Sequence, residues 1–291
     1  MAATTFLKPL TAAALITLAT ALPSFAKDPF RTSNAKPIGD RTEAVFNALF
    51  KEGDHSKAAS LVAEAEKNEA NEPLLHALKA AIAYNNQDSN SFKTSALRTR
   101  ETAEALAKSD SLRGNTYIAV GNFLESAAIL QEKGVVRGTP AALGKLQEAF
   151  SKLDAAEKID AQDPELALLK GTMDLMLAVN INLPFSDADK AIKRLESSAA
   201  PRYIADRNLA WGYRDLKKQD QAISAIDRAI GATPNNPELE YLKAQILVRQ
   251  GKNAEALKQF DIALKRKQQL PQVLGDQIQR ERDRTEKRMK K

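Results

Sequence analysis

The amino-acid sequence predicts an all-α protein, an α-solenoid of about six antiparallel helix hairpins that follows an N-terminal signal peptide. Three observations lead to this fold class. Ala and Leu carry the apolar composition, whereas aromatic residues make up only 5% of the chain, and Ala and Leu lose little side-chain freedom in a helix. A Pro-x-Leu-x-x-Leu-Lys-Ala/Gly pattern recurs along the chain. No run of β-branched residues alternates with polar ones, so no strand is expected.

The first 26 residues resemble a secretory signal. Lys8 precedes an apolar stretch over residues 10–22, and residues 24–26 place small side chains at the two positions that a signal peptidase reads. The stretch is shorter than the roughly 20 apolar residues that span a bilayer, although a retained membrane anchor is the alternative. We therefore expect cleavage before Lys27 and export to the periplasm or to another extracytoplasmic compartment, such as a thylakoid lumen.

Composition sets further bounds on the mature chain. Hydrophobic residues make up 43% and charged residues 27%, which is too apolar for general disorder and too polar for a membrane bundle. The chain has no cysteine, so disulfides, thiolate metal sites and cysteine catalysis are excluded. We expect an extended segment over residues 27–40, a helical repeat domain over residues 41–267, and a basic C-terminal helix or tail over residues 268–291.

Three helices are expected to begin at the recurring pattern. Its copies are residues 73–80, 164–171 and 237–244, and each copy follows a cluster of turn-forming residues. Proline is tolerated in the first helical turn because its missing N–H would have no partner within the helix. The two leucines of each copy are three residues apart and therefore lie on one helix face.

The alternation of helical periodicity with short breaks predicts six helix pairs. They are residues 41–52 with 55–68, 73–84 with 90–107, 112–132 with 140–159, 164–180 with 187–198, 202–217 with 219–231, and 237–250 with 253–266. Longer loops between paired helices are expected at residues 134–140 and 180–187.

Two consecutive segments resemble tetratricopeptide repeat (TPR) units. In residues 203–234 the positions that match the family's packing residues are Leu209, Ala210, Tyr213, Ala222, Ile226, Ala229 and Pro234. The next unit begins 34 residues later, which is the TPR period, and its matching positions are Pro237, Ala244, Leu247, Gly251, Ala256, Phe260 and Ala263, with Gln268 in place of the closing proline. A looser match includes Gly53, Ala58, Val62, Ala65 and Pro73.

The period fails between residues 85 and 200, so a general array of helix hairpins with two true TPR units is the alternative. The whole chain is somewhat similar to the exported TPR proteins of cyanobacteria. Small residues in this pattern let paired helices approach, and larger apolar residues fill the space to the next hairpin.

The resemblance implies a non-catalytic scaffold or assembly factor that binds another protein in a concave groove. In TPR proteins the first helix of each unit lines that groove, and the corresponding residues here are Arg207, Trp211 and Arg214, followed by Tyr241, Gln245 and Val248. Trp and Arg are over-represented among residues that carry binding energy, although Trp211 would alternatively pack between neighbouring hairpins. The sequence specifies neither the partner nor the oligomeric state.

No catalytic or metal-binding constellation is found in the sequence. The two histidines, His55 and His76, have no partner at metal-ligand spacing. We expect His55 to be a solvated residue in the turn after Gly53, and His76 to pair with Glu72 four residues earlier on a helix face. Glycine-rich nucleotide motifs and a nucleophile elbow are also lacking, so neither enzymatic activity nor a cofactor is expected.

Basic residues are concentrated at the C-terminus. Residues 265–291 carry ten basic and four acidic side chains, a net charge of +6 that equals the charge of the whole chain. The basic residues at the end of this segment are Arg280, Arg282, Arg284, Lys287, Arg288, Lys290 and Lys291. They are expected to form a polar helix or frayed end without an apolar stripe, which either caps the solenoid or docks on an anionic surface of the cell envelope. Nucleic acid is not an expected partner, because the tail lacks aromatic residues for base stacking.

Overall fold

The computed structural model describes residues 28–180 and 187–290. Within these residues the secondary structure consists of helices joined by turns and loops, without any strand. The helices are α1 (Asp40–Phe46), α2 (His55–Glu69), α3 (Pro73–Asn85), α4 (Ser89–Leu106), α5 (Ser111–Ile159), α6 (Pro164–Asn180), α7 (Ala188–Ser197), α8 (Arg202–Asp215), α9 (Gln219–Ala232), α10 (Pro237–Arg249), α11 (Asn253–Leu264) and α12 (Gln272–Met289). A π-helical turn, Asn47–Glu52, continues α1, and a 3-10 turn, Lys267–Gln269, precedes α12.

The all-helical class is therefore confirmed for this part of the chain, whereas the predicted signal peptide lies outside the described residues. Within the same residues, no helix is long and apolar enough to cross a membrane.

The helices begin where the capping residues predict. An aspartate side chain accepts a hydrogen bond from a backbone N–H of the first turn at five helices: Asp54 before α2, Asp88 before α4, Asp110 before α5, Asp163 before α6 and Asp187 before α7. Helices α3 and α10 begin with proline and are capped by the side chains of Glu72 and Asn236. Such caps satisfy N–H groups that have no partner within the helix.

Consecutive helices form hairpins, and α5 forms a hairpin by itself, because it folds back at Gly134 into two helical arms. Gly134 (φ 71°, ψ 164°) interrupts α5 in a conformation that only glycine adopts readily, and Lys145 Nζ of the second arm lies 2.9 Å from Glu125 Oε2 of the first. The predicted loop at residues 134–140 is wrong, because one glycine reverses the chain and Pro140 already lies inside the second arm. The predicted loop at 180–187 falls mainly on residues 181–186, outside the described residues.

Small residues lie where paired helices meet. Ala222 of α9, and Ala256 and Ala263 of α11, are completely buried, and Phe260 fills space beside them at 1% exposure. Between hairpins, Gly212 of α8 faces α6 so closely that an added Cβ would lie 2.5 Å from Leu175 Cδ2. The positions matched in the TPR resemblance thus include close helix contacts of the structure.

The array folds back so that its first hairpin contacts α8 and α10. Asn236 Nδ2 donates to the backbone oxygen of Phe50 at 3.1 Å, and His55 Nε2 lies 2.5 Å from Glu238 Oε1. The guanidinium of Arg207 lies 5.9 Å from the centre of the Phe50 ring. In a simple solenoid each unit contacts only its neighbours, so this closure, which joins positions 183 and 186 residues apart, is an additional tertiary contact.

The extended segment before α1 is fixed in the core by buried charges. Phe30 and Ile38 are buried, and Arg31 forms ion pairs with Asp28, Asp163 and Glu165 at 2.8, 2.6 and 2.9 Å. Because Asp163 and Glu165 flank the first residue of α6, the segment ties that helix start to the beginning of the described chain.

A second arginine joins this network. Arg113 of α5 contacts Glu165 Oε2 at 3.0 Å and Glu72 Oε1 at 2.8 Å, while the Tyr117 hydroxyl donates to Glu165 Oε1 at 2.6 Å. Burial raises the pKa of Tyr117 well above its usual value. Buried charges are tolerated only when paired and hydrogen-bonded, and this network meets that condition through residues from the extended segment and three helices.

The C-terminal segment is a docked helix that begins at Gln272, and its part from Arg280 onward is polar, as predicted, since the one apolar side chain within residues 280–290, Met289, is 49% exposed. Ile278 is completely buried, and Gly275 and Thr285 are buried beside it. The buried apolar side chain precedes Arg280, so it lies outside the segment that was predicted to have no apolar stripe. Helix α12 therefore packs on α11 as a cap whose outer surface carries most of the basic residues.

Candidate protein-binding groove

One cavity collects residues from helices that are distant in the chain. The groove cavity, of about 420 Å³, is lined by Asn85 of α3, Thr172 and Met176 of α6, Arg207, Asn208, Trp211 and Arg214 of α8, Glu238, Tyr241, Leu242 and Gln245 of α10, and Leu274 of α12. Since these helices come from both ends of the array, the cavity lies on its inner face. Five of the six groove residues predicted from the sequence line it, namely Arg207, Trp211, Arg214, Tyr241 and Gln245.

Trp211 occupies an intermediate position between the core and the cavity. The side chain is partly buried and packs against the main hydrophobic core, and it also lines the groove cavity with Met176 and Leu242. Trp211 therefore meets both alternatives left open by the sequence, because it packs against the core and also lines the cavity.

Arg207 is held by the closure of the array. Arg207 Nη2 lies 2.5 Å from Glu238 Oε2, and Glu238 also contacts His55. Burial alone would raise the pKa of Glu238, but the charge of Arg207 and the hydrogen bond of His55 lower it to about 2. Arg207 is thus committed to a buried carboxylate and is less available to a partner than the sequence suggested.

Both histidines differ from their predicted environments. His55 is only 6% exposed and packs against α10, so the solvated turn position is wrong, because the covering helix comes from a distant part of the chain. His76 is also buried. Its Nε2 lies 2.8 Å from the Ala70 oxygen, and burial lowers its pKa. The predicted pairing of His76 with Glu72 is wrong, since Glu72 binds Arg113.

The remaining groove residues form a chain of hydrogen bonds across three helices. Arg214 of α8 donates to Gln245 Oε1, and Gln245 Nε2 donates to the Tyr241 hydroxyl at 2.6 Å. The Tyr241 hydroxyl in turn donates to Glu281 Oε1 of α12 at 2.9 Å. Burial raises the pKa of Tyr241 above its usual value. These bonds hold one wall of the groove cavity in a fixed arrangement, as a preorganised site requires.

The basic residues of α12 are divided among three environments. Arg282 binds Asp261 and Glu286 at 2.9 and 2.8 Å, and Lys290 binds Glu286 at 3.0 Å. Arg280 and Lys287 are exposed. Arg284 and Arg288 are also exposed but line a second cavity, and Lys291 lies outside the described residues.

The second cavity, called here the arginine cavity, adjoins the groove cavity. Its volume is about 330 Å³, and its lining residues are Arg214, Gln245, Val248, Arg249, Phe260, Glu281, Arg284, Thr285 and Arg288. Val248, the sixth groove residue predicted from the sequence, is thus found here. Arg249 and Phe260 were not predicted as groove residues, although Arg249 continues the four-residue spacing of Tyr241 and Gln245 on α10.

Metal binding has no geometric basis in the described part of the chain. Across residues 28–180 and 187–290, no group of three or more His, Asp or Glu side chains is placed to hold a metal ion.

No protein-family model matches the chain, and no curated protein matches it. Among solved structures, the chain is similar to the crystal structure of a thermophilic TPR protein of Thermus thermophilus, with 18% identity and a TM-score of 0.31 over 84% of this chain and 97% of that one. The function therefore has to be inferred from the residues of this chain.

Proposed function

We propose that the protein is a non-catalytic scaffold that holds a segment of a partner protein in the groove cavity. One observation carries this proposal: a partly exposed tryptophan and polar side chains from helices that are distant in the chain surround one cavity of about 420 Å³. Tryptophan combines a large apolar surface with few rotatable bonds, and it is enriched among residues that dominate binding energy.

The lining of the groove cavity suits a polypeptide. Met176, Trp211 and Leu242 offer apolar contacts to a side chain. Asn208 Nδ2 donates to Thr172 Oγ1 at 2.7 Å, which leaves the Asn208 carbonyl oxygen to accept a backbone N–H of a bound chain. Because a peptide backbone needs partners when it leaves water, such an acceptor beside apolar walls supports this class of ligand.

The proposal is tested by comparing how much partner protein the wild type and the Trp211→Leu variant capture. The leucine keeps apolar contact with the core but removes most of the indole surface in the cavity, so partner capture from an extract of the native compartment should fall strongly. Arg207 is left intact because its removal would unpair the buried Glu238. The matched control is Ile262→Ala, since Ile262 is a 38% exposed hydrophobic residue of α11 that lines neither cavity.

Two readouts decide this test. Trp211 is the only tryptophan of the chain, so its fluorescence in the wild-type protein should shift to shorter wavelength when a purified partner fills the cavity. Circular dichroism should show unchanged helicity in both variants. Full capture by Trp211→Leu, or an unchanged emission spectrum on binding, would exclude the groove cavity as the binding site.

A second candidate function is docking on an anionic surface of the cell envelope. It is favoured by the exposed Arg280 and Lys287 of α12, which form no ion pair among residues 28–180 and 187–290. Vesicles with anionic phospholipid should then co-sediment the protein, and Arg280→Gln with Lys287→Gln should abolish this. Lack of vesicle binding would exclude the second candidate.

Export is proposed together with the scaffold role. The support is the apolar stretch and the small residues before Lys27. N-terminal sequencing of the native protein should find Lys27 or a neighbouring residue first. A retained Met1 in the membrane fraction would contradict cleavage and favour an anchor.

A further inference from the structure

The arginine cavity concentrates positive charge at one end of the inner face. Arg214 of α8, Arg249 of α10, and Arg284 and Arg288 of α12 line it together, and the carboxylate among the lining residues is Glu281. Residues 284 and 288 are four positions apart, so they project from the same side of α12. Three helices thus direct arginines into one recess.

The carboxylates near the cavity do not neutralise the charge of these four arginines. Arg214 and Arg249 share a single partner, Asp215, each at 2.8 Å. Glu281 is engaged by the Tyr241 hydroxyl and Gln245. Arg284 and Arg288 form no ion pair in the part of the chain that the structure describes. With four arginines against Asp215 and Glu281, the surroundings of the cavity keep an excess of two positive charges.

Helix-end electrostatics explain only part of this arrangement. Arg214 and Arg249 lie in the last turns of α8 and α10, where a cation interacts favourably with the helix dipole, and Arg249 Nη1 donates to the Arg214 backbone oxygen at 3.1 Å. Neither effect requires Arg284 and Arg288 to face the same recess. Their convergence on it points instead to an anionic ligand.

We propose that the arginine cavity binds carboxylate side chains of an acidic segment in the partner protein. Guanidinium groups bind carboxylates through paired, charge-assisted hydrogen bonds, and the apolar neighbours Val248 and Phe260 suit an apolar residue beside the acidic ones. This inference rests on the proposed groove function and adds the chemistry of the partner to it.

The two cavities form one path for such a segment. Arg214 and Gln245 line both of them, so a single extended chain passes from the apolar wall at Trp211 to the arginines of α12. A lipid surface fits this geometry less well. It could reach the exposed Arg284 and Arg288, but not the Arg214 side chain, which is only 13% exposed.

The experiment selects peptides from a random dodecamer library on the purified mature chain. The selected pool should be enriched in Asp and Glu next to an apolar residue. The peptide that binds best is then titrated, and its affinity should fall steeply with salt, since exposed charges are screened over about 10 Å at 0.1 M. Replacing its acidic residues by Asn and Gln should weaken binding at least about tenfold, given the strength of charge-assisted hydrogen bonds.

Matched variants separate the cavity from general charge. The double variant Arg284→Gln with Arg288→Gln should lower the affinity for the acidic peptide about tenfold or more. The double variant Arg280→Gln with Lys287→Gln removes the same charge from the same helix and should leave that affinity within about twofold. Circular dichroism checks that α12 stays folded in both.

Three outcomes of the peptide and vesicle experiments would overturn the proposal, and a fourth outcome separates it from the groove function. They are a selected pool without acidic enrichment, equal loss of affinity in both double variants, and binding of anionic phospholipid vesicles in preference to the peptide. If Trp211→Leu loses the native partner while Arg284→Gln with Arg288→Gln retains it, the groove function stands and the acidic specificity is wrong.

Discussion

Glu238 is a buried carboxylate whose charge depends on partners from two other helices. Its pKa of about 2, against an ordinary 4.5, means that the folded state holds the ionised form more strongly than the unfolded chain does. The resulting stabilisation is fully present above pH 4.5 and is lost as pH falls towards 2. Glu238→Gln should therefore lower the free energy of unfolding by about 3 kcal/mol at pH 7.

Guanidinium titrations of wild type and Glu238→Gln at pH 7, 5, 4 and 3 would check this prediction. The difference in unfolding free energy should shrink only in the acidic range. Glu255→Gln, an exposed replacement on α11, is the control and should change stability little at any pH. A difference between wild type and Glu238→Gln that does not vary with pH would show that the carboxylate is not held in its ionised form.

Ala254 and Ala256 of α11 provide a matched pair for testing helix packing. Ala256 is completely buried, whereas Ala254, two residues earlier, is exposed. Ala256→Leu should cost about 1 to 3 kcal/mol because the added side chain overpacks the hairpin contact, and Ala254→Leu should be nearly neutral. Thermal denaturation of both variants measures the effect, and equal stability would mean that the small residue is not needed there.

The contrast between Ala256 and His55 explains which residue environments could be predicted from sequence. Ala256 lies in a local pattern, since its contact partner is in the same hairpin and recurs at a fixed spacing. His55 is buried by Glu238, which is 183 residues away, and no spacing rule connects the two. The same limit applies to Arg207, whose helix face follows from the repeat pattern but whose ion pair with Glu238 does not.

At the scale of secondary-structure elements, the docking of α12 depends on one buried apolar side chain. Ile278 is completely buried against the last hairpin, whereas Met289 on the same helix is 49% exposed. Ile278→Asp should undock α12, because an unpaired charge is costly in an apolar contact, and trypsin should then cleave rapidly at Arg280 and Arg282. Met289→Asp should remain as resistant as wild type.

Limited proteolysis followed by mass spectrometry gives the measurement. Should trypsin cut the wild-type chain at Arg280 as fast as the Ile278→Asp variant, α12 would not be stably docked. The groove and arginine cavities, which both include residues of α12, would then lose one wall.

Element boundaries were predictable where the chain carries explicit start signals. Pro73, Pro164 and Pro237 each begin a helix, as the recurring pattern indicated. Two features escaped the sequence reasoning for physical reasons. Gly134 alone makes the turn within α5, so the residues after it continue as helix, and the buried stripe of α12 contains too few apolar residues to stand out among its charges.

At the scale of the whole molecule, closure should make unfolding cooperative. An open repeat array can unfold unit by unit from its ends, but here the first hairpin is bonded to α10 through Asn236 and Glu238. We expect far-UV circular dichroism and Trp211 fluorescence to report one coincident transition in guanidinium. Coincidence of different probes is the standard sign of two-state behaviour.

Asn236→Asp tests the link between closure and cooperativity. Aspartate retains an oxygen that caps α10, as Asn236 Oδ1 does at 3.0 Å, but it lacks the N–H that donates to the Phe50 oxygen. The two transitions should separate in this variant, with the first hairpin unfolding earlier. Separate transitions already in the wild-type protein would contradict a cooperative closure.

The contact between Phe50 and Asn236 also has a mechanical consequence. An open superhelix of repeats extends like a spring, because small rotations between units add up along its length. Here the hydrogen bond from Asn236 to the Phe50 oxygen joins the first hairpin to the start of α10. A force that pulls the ends of the array apart therefore cannot separate these two parts until that contact breaks. The molecule should therefore extend little until the pulling force is large enough to break this contact. The groove cavity should keep its width as long as the contact holds.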